Sequence, residues 1–160
     1  MKIVFFAIAV LFTIATTQTT QAHDAADSNR LSQMLQSYYN IKDALVAGNS
    51  KTASESATDF IKNLNGISLK LISEGNVSSL LKDAGKIADA KSIDKQRAAF
   101  ANFSTNITAV AKKLKLGNQP LYIQYCPMKK ASWLSSEQAI KNPYYGNSML
   151  TCGKVTGTIQ

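Results

Sequence analysis

Residues 92–115 of the chain read SIDKQRAAFANFSTNITAVAKKLK, its longest stretch with the pattern of an amphipathic helix. The apolar residues return at near-heptad spacing, which places them on one face of a helix. They are Ile93, Phe100, Phe103, Ile107, Val110 and Leu114. Ser92 stands where an N-cap residue is expected. Three lysines follow in the last turn, where cations oppose the negative end of the helix dipole. The stretch therefore predicts a long helix with a buried aromatic face.

Three shorter segments upstream show the same helical periodicity. Ser28 or Asn29 can cap the first, which we expect to end at Gly48. The second follows directly, and the third begins after a break at Gly75. Their apolar stripes are Leu31, Met34, Leu35, Tyr38, Ile41 and Leu45; Ala53, Ala57, Phe60, Ile61 and Leu64; and Val77, Leu80, Leu81, Ala84, Ile87 and Ala88. Short breaks between amphipathic helices predict a mainly α fold, an antiparallel four-helix bundle over residues 28–118.

The amino terminus has the pattern of an export signal. Lys2 precedes an apolar run over residues 3–14, and the small residues Thr20 and Ala22 suit cleavage by signal peptidase after Ala22. The run is too short to span a bilayer as a helix. We therefore predict a signal peptide over residues 1–22, a periplasmic or secreted mature chain, and no transmembrane segment in that chain.

The charge of the mature chain is strongly positive. Removing Lys2 from the 18 basic residues leaves 17 against 10 acidic ones, a net charge of +7. The lysines are spread along the chain, which is typical of a solvated surface. Because the chain is predicted to be exported, we expect no nucleic-acid partner.

Residues 119–160 differ in character from the helices. Residues 121–125 are apolar and rich in aromatic and β-branched side chains, and residues 155–159 form a second such run, so both are predicted strands. Between them, Ser135 could cap a short helix that ends before Pro143. The prediction is an irregular segment that packs on the bundle and carries a short two-stranded ladder.

Four sulfur atoms fall within this segment, in Cys126, Met128, Met149 and Cys152. If the two strands pair antiparallel, both cysteines lie at the same end of the ladder, where strands are about 5 Å apart. Met149 and Cys152 are three positions apart, so one turn would place both on one side. Thiolates with thioethers favour monovalent copper or silver. The sequence therefore predicts a soft-metal site on these four residues.

A disulfide between Cys126 and Cys152 is the alternative, because two cysteines of an exported protein usually pair. The closed loop would then be an interaction module without metal. It could present Trp133, Tyr144 and Tyr145 to a partner, although packing onto the bundle is the favoured interpretation of the tyrosines. A thiol count on natively purified protein separates the two hypotheses.

The single histidine argues against an enzyme. His23 is the predicted mature terminus, so it cannot complete a Ser-His-Asp or Cys-His arrangement in the core. Its imidazole and α-amine could chelate copper, but a full site of that kind needs a second histidine. No phosphate-binding glycine loop or zinc-protease motif occurs in the sequence. We expect no catalytic residues.

Several short motifs together resemble one bacterial family of domains of unknown function, DUF3347. They are Gln96-Arg97-Ala98-Ala99-Phe100, Tyr125-Cys126-Pro127-Met128, Trp133-Leu134-Ser135, Asn142-Pro143-Tyr144-Tyr145-Gly146 and Met149-Leu150-Thr151-Cys152-Gly153. Such domains also occur fused to periplasmic adaptors of copper/silver efflux pumps. Tyr125-Cys126-Pro127-Met128 is similar to the signature of heavy-metal-binding modules on those adaptors, with Lys129 in place of their histidine. The resemblance implies a link to metal handling and a heavy-metal efflux adaptor as a partner.

Overall fold

The computed structural model describes residues 18–116 and 119–160, with the side chains of the first helix described from residue 26 onward. Of the predicted signal peptide, residues 1–17 lie outside the described residues. The helices are α1 Gln18–Ala47, α2 Ser50–Asn65, α3 Glu74–Asp89 and α4 Ile93–Leu114. The strands are β1 Leu121–Cys126, β2 Ala131–Ser135 and β3 Lys154–Ile159, with a 3-10 turn at Gly146–Ser148.

The four helices pack as a bundle, which confirms the predicted fold class. Each helix packs mainly against its neighbour in the chain, and α1 also contacts α4. Aromatic rings fill the centre, with Tyr38 stacked on Phe100 at 5.5 Å and Phe60 edge-on to Phe103 at 4.7 Å between ring centroids. In the part of the chain that the structure describes, no helix has the length and apolar character needed to cross a membrane.

Two predicted helix boundaries are wrong. Ser28 and Asn29 lie inside α1, where the Ser32 hydroxyl donates to the Ser28 carbonyl and the Gln33 amide donates to the Asn29 side chain. No glycine or proline interrupts residues 18–47, so nothing stops the helix from beginning earlier. Gly75 lies in the first turn of α3 and does not break the chain.

The C-terminal sheet has three antiparallel strands in the order β2-β1-β3. The predicted ladder between β1 and β3 is present, with Tyr125 opposite Lys154. The helix predicted to begin at Ser135 is wrong, because β2 ends at that residue and residues 136–142 contain bends and no helix. The Ser135 hydroxyl accepts a hydrogen bond from the Glu137 amide two residues on, which forms a local turn and not a helix cap.

A buried tyrosine fixes the sheet to the bundle. The Leu134 amide of β2 donates to the Tyr38 hydroxyl of α1 at 2.9 Å. That hydroxyl also shares a hydrogen bond of 2.5 Å with the Ser104 hydroxyl of α4. Arg97 adds a second connection, donating from Nη2 to the Leu45 carbonyl at 2.8 Å and from Nε to the Pro143 carbonyl at 3.1 Å. Polar bonds therefore join α1, α4 and the C-terminal segment.

Tyr38 and its neighbour Tyr39 give a matched test of this connection. Tyr38→Phe leaves the buried Leu134 amide without its acceptor, so the free energy of unfolding should fall by roughly 1–3 kcal/mol. Tyr39→Phe removes a buried hydroxyl that has no hydrogen-bond partner among the described residues, so stability should be unchanged or slightly higher. Chemical denaturation of both variants measures the difference, and equal losses would contradict the role of Tyr38.

Candidate metal centre

The two cysteines meet at one end of the β1–β3 ladder. Cys126 is the last residue of β1, and Cys152 lies two positions before β3 begins. Their Sγ atoms are 4.0 Å apart, with Cys126 fully buried and Cys152 half-buried. The two sulfurs are not bonded to each other. The antiparallel register of the strands therefore places two thiols side by side.

The turn after β1 wraps around the Cys126 sulfur. Pro127 opens this turn, and Lys130 closes it in the left-handed region at φ 54°. This path brings the Lys129 amide to 3.4 Å from Cys126 Sγ, to which it donates a hydrogen bond. The turn therefore places a backbone N–H donor beside the Cys126 sulfur.

A second turn positions Cys152. The Cys152 amide donates to the Met149 carbonyl at 3.1 Å, so one turn spans these two residues. Asn142 stabilises this turn with two hydrogen bonds. Its side-chain amide donates to the Cys152 carbonyl at 2.7 Å, and its backbone amide donates to the Leu150 carbonyl at 2.8 Å. From the sequence, Asn142 is predicted only to end a short helix. The Asn-Pro pair signals a turn, but it does not indicate which carbonyls the side chain will bind.

Gly153 lets the chain pass close to the sheet beside the cysteines. It adopts φ +154°, and a Cβ there would lie 3.0 Å from both the Trp133 ring and the Tyr125 carbonyl. Gly153, next to Cys152, therefore lies close against the buried Trp133 ring. A side chain at position 153 would require the Trp133 ring or the adjacent backbone to shift.

The surroundings of Cys152 favour its neutral thiol in the absence of a cation. Burial raises the pKa of Cys152, and the adjacent Cys126 thiol raises this pKa further. Two thiolates at this distance would repel each other in a partly buried place. A bound cation would remove that repulsion, which couples binding to the loss of protons.

The structure brings together two of the four predicted sulfur ligands. Met128 lies in the turn after β1 with its side chain 63% exposed, and Met149 is half-buried one turn before Cys152. Within the described ranges, no group of three or more His, Cys, Asp or Glu side chains could hold a metal ion. Ligands beyond the two thiols would therefore be the thioethers of these methionines.

Two of the three residues of the possible aromatic partner surface, Trp133 and Tyr144, lie inside the protein. Both side chains are buried in the core. The Tyr144 hydroxyl donates to the Ser132 carbonyl at 2.6 Å, and its ring packs edge-on to Trp133 and against Phe100. Tyr145 is half-buried against the same core. These contacts agree with the expected packing of the tyrosines onto the bundle.

Comparison with known proteins finds one family that matches the helical part of the chain. A family model described as protein of unknown function (DUF3347) matches residues 34–119. The match covers the bundle from within α1 through α4 and ends before β1. Both cysteines lie beyond it. No curated protein and no solved structure matches the chain significantly.

Proposed function

This chain belongs to the DUF3347 family, and we propose that it is an exported protein that binds one monovalent copper or silver ion. Cys126 and Cys152 are the principal ligands, and Met128 and Met149 are additional thioether ligands. The bundle and the sheet hold the two turns that carry these residues. The binding serves heavy-metal efflux or homeostasis.

The distance of 4.0 Å between the two sulfurs carries the proposal. Metal–thiolate bonds of roughly 2.3 Å allow two sulfurs on one ion to be at most about 4.6 Å apart. A disulfide requires a sulfur–sulfur distance of about 2.05 Å. The observed spacing allows both sulfurs to bind one ion, whereas a disulfide requires the sulfurs to approach each other.

The donor set favours a soft monovalent ion over zinc. Structural zinc sites use four ligands from Cys, His, Asp or Glu, and thioethers are not among them. The described residues provide two such side chains at this place and no third. Thiolates and thioethers are the ligands that select monovalent copper.

Nearby lysines suit the charge of the loaded site. Two thiolates around a monovalent cation leave one net negative charge. Lys129 and Lys130 follow Cys126, and Lys154 follows Cys152 by two positions, all three with exposed side chains. Positive side chains close to the site lower the energy of that negative charge.

The proposed partner is a heavy-metal efflux adaptor in the periplasm. It rests on the resemblance of Tyr125-Cys126-Pro127-Met128 to metal-binding modules of such adaptors, together with the predicted export signal. Met128 is exposed beside the buried Cys126, which would allow a partner to transfer an ion through the thioether.

A disulfide-closed interaction module is the competing function. The same proximity of Cys126 and Cys152 supports it, since oxidation would join the two sulfurs. Two of the three aromatic side chains that this function would present to a partner, Trp133 and Tyr144, are buried. Metal binding therefore accounts for more of the segment.

A competition titration with a monovalent-copper chelator tests the site and the role of the thioethers. Reduced, anaerobic wild type is compared with the Met128→Leu, Met149→Leu double variant, and Met34→Leu in the bundle core is the matched control. We expect the double variant to lose at least about tenfold in affinity, since a changed second-shell partner alone can cost that much. Leu and Met swaps usually cost less than about 1.5 kcal/mol of stability, so folding should persist. Equal affinities would remove the methionines from the site, and no binding by wild type would favour the disulfide-closed module.

Binding should depend strongly on pH. Ordinary thiols have a pKa of roughly 8.5, and that of Cys152 is raised, so near neutral pH the cation must displace protons. We expect about two protons to be released per ion, and the apparent affinity to fall as the pH is lowered below the thiol pKa values. Calorimetry in buffers of different ionisation enthalpy counts the protons. Release of none would show that the thiols are not ligands.

A further inference from the structure

The two cysteines differ in their exposure to solvent. Cys126 is fully buried at the end of β1, and Cys152 is half-buried in the turn before β3. In the folded protein, only Cys152 offers surface to a reagent from solution. Buried structural cysteines are inert, so a reaction with an external reagent has to begin at Cys152.

Cys126 is close enough to attack a group that has bonded to Cys152. Their Sγ atoms are 4.0 Å apart, and a disulfide has a sulfur–sulfur distance of about 2.05 Å. The ladder of β1 and β3 reaches Tyr125 and Lys154, close to both cysteines. Paired strands are about 5 Å apart, which lies within the Cα separations of roughly 4.4–6.8 Å that disulfides span. This end of the ladder therefore has a spacing that a disulfide can bridge.

The segment around the two cysteines is basic. Residues 121–160 contain four lysines but only Glu137 as an acid, and its carboxylate pairs with Lys141 at 2.7 Å. The other lysines have exposed side chains and closely follow a cysteine in the sequence. They are Lys129, Lys130 and Lys154. Such a surface attracts an anionic reagent and repels a cationic one.

We propose that Cys126 and Cys152 form a thiol–disulfide exchange site for small anionic disulfides. Cys152 loses its proton to solvent, and its thiolate attacks one sulfur of the substrate disulfide, whose other half leaves as a thiolate and takes up a proton. The Cys126 thiolate then attacks Cys152 Sγ and displaces the second half in the same way. The substrate gains two electrons and becomes two thiols, and the protein keeps a disulfide between Cys126 and Cys152.

This exchange would regulate metal binding, a consequence that rests on the proposed function. A cysteine binds a metal ion as its thiolate, and neither sulfur is a thiolate once the disulfide has formed. The reduced protein would therefore bind the ion, and oxidation by a disulfide would release it.

The test of the reaction order uses oxidised glutathione, an anionic disulfide, with the purified chain reduced, metal-free and anaerobic. Samples are alkylated with N-ethylmaleimide at intervals, and their masses are measured. We expect wild type to lose both thiols and to retain no glutathione. Cys126→Ser should retain one glutathione on Cys152, since no second thiol can displace it. Cys152→Ser should react at least about tenfold more slowly than Cys126→Ser, because its remaining thiol is buried.

Two controls show whether the fold sets this order. In urea both thiols are exposed, so the two single variants should react at similar rates. Brief alkylation of folded wild type with iodoacetamide, followed by peptide mapping, needs no substitution and should modify Cys152 before Cys126. Glutathione retained by wild type, equal rates for the folded single variants, or alkylation of Cys126 first would overturn the proposal.

The preference for an anionic substrate is tested with salt. Salt screens charges, so it should slow the reaction of oxidised glutathione and accelerate that of cystamine, a cationic disulfide. Lys154→Gln should reduce both responses. Lys62→Gln is the matched control, because Lys62 is exposed on α2, outside the basic segment. The same salt response for both disulfides would overturn the preference.

Silver binding by the reduced and the oxidised protein tests the regulation. We expect the reduced protein to bind silver and the oxidised protein to bind none until dithiothreitol restores its thiols. Equal binding in the two states would overturn the regulation. No binding in either state would contradict the proposed function, while the exchange reaction would stand on its own measurements.

Discussion

Replacing Phe100 with alanine should lower the free energy of unfolding by roughly 3–5 kcal/mol, as for other buried aromatic residues. Phe100 is fully buried on α4. Its ring packs on Tyr38 at 5.5 Å, Phe103 at 6.2 Å and Tyr144 at 5.8 Å between centroids. The cavity left by truncation would lie where α1, α4 and the C-terminal segment meet, so none of them could close it alone.

The matched control for Phe100→Ala is a large-to-small change on the surface. Leu69 is 60% exposed, and Leu69→Ala should change stability by no more than about 0.5 kcal/mol. Thermal and urea unfolding measure both variants. An unchanged midpoint for Phe100→Ala would show that the phase assigned to α4 is wrong.

The second large effect concerns the thiols. Cys152→Ser should reduce the affinity for monovalent copper by at least about 100-fold, because a hydroxyl is a poor ligand for a soft ion and a first ligand matters more than the second shell. Cys152 is only half-buried, so this variant should fold normally. Cys126→Ser should have the same effect on binding, but Cys126 is fully buried, so its unfolding must be measured in parallel. Wild-type affinity in a folded Cys152→Ser variant would exclude this residue as a ligand.

The helical part of the fold could be predicted because its signals are local. Apolar side chains at helical spacing identify α2 and α4 and the buried face of α1, and the residues of these stripes are largely the buried ones. Helix ends were less predictable. Ser28 resembles a cap in the sequence, but a cap forms only if the preceding residues are not helical, and nothing before Ser28 prevents a helix.

The strand β2 could not be predicted in the same way, because its structure depends on a distant pairing. Ala131–Ser135 is short and has only two large apolar residues, and Ser135 with Gln138 resembles a capping box. Pairing with β1 across the tight turn at residues 127–130 decides the structure. Pairing in the sheet therefore outweighs the local preference for a helix start at Ser135.

The candidate site was partly predictable from topology. Antiparallel pairing of β1 and β3 follows from two strand-like runs, and it places Cys126 and Cys152 at one end. The supporting contacts were not predictable. The Asn142 side chain donates to the carbonyl of Cys152. Arg97 donates to the carbonyl of Pro143, which is 46 positions away in the sequence. Such bonds depend on how the C-terminal segment packs on α4, which no spacing in the sequence indicates.

Native mass spectrometry of the reduced protein with one equivalent of silver tests the central claim most directly. The account predicts one silver ion bound per chain, since both thiols bind the soft ion as thiolates. The Cys126→Ser, Cys152→Ser double variant should show no such adduct under the same conditions. Wild type without silver, or the double variant with as much silver as wild type, would contradict a metal centre at Cys126 and Cys152.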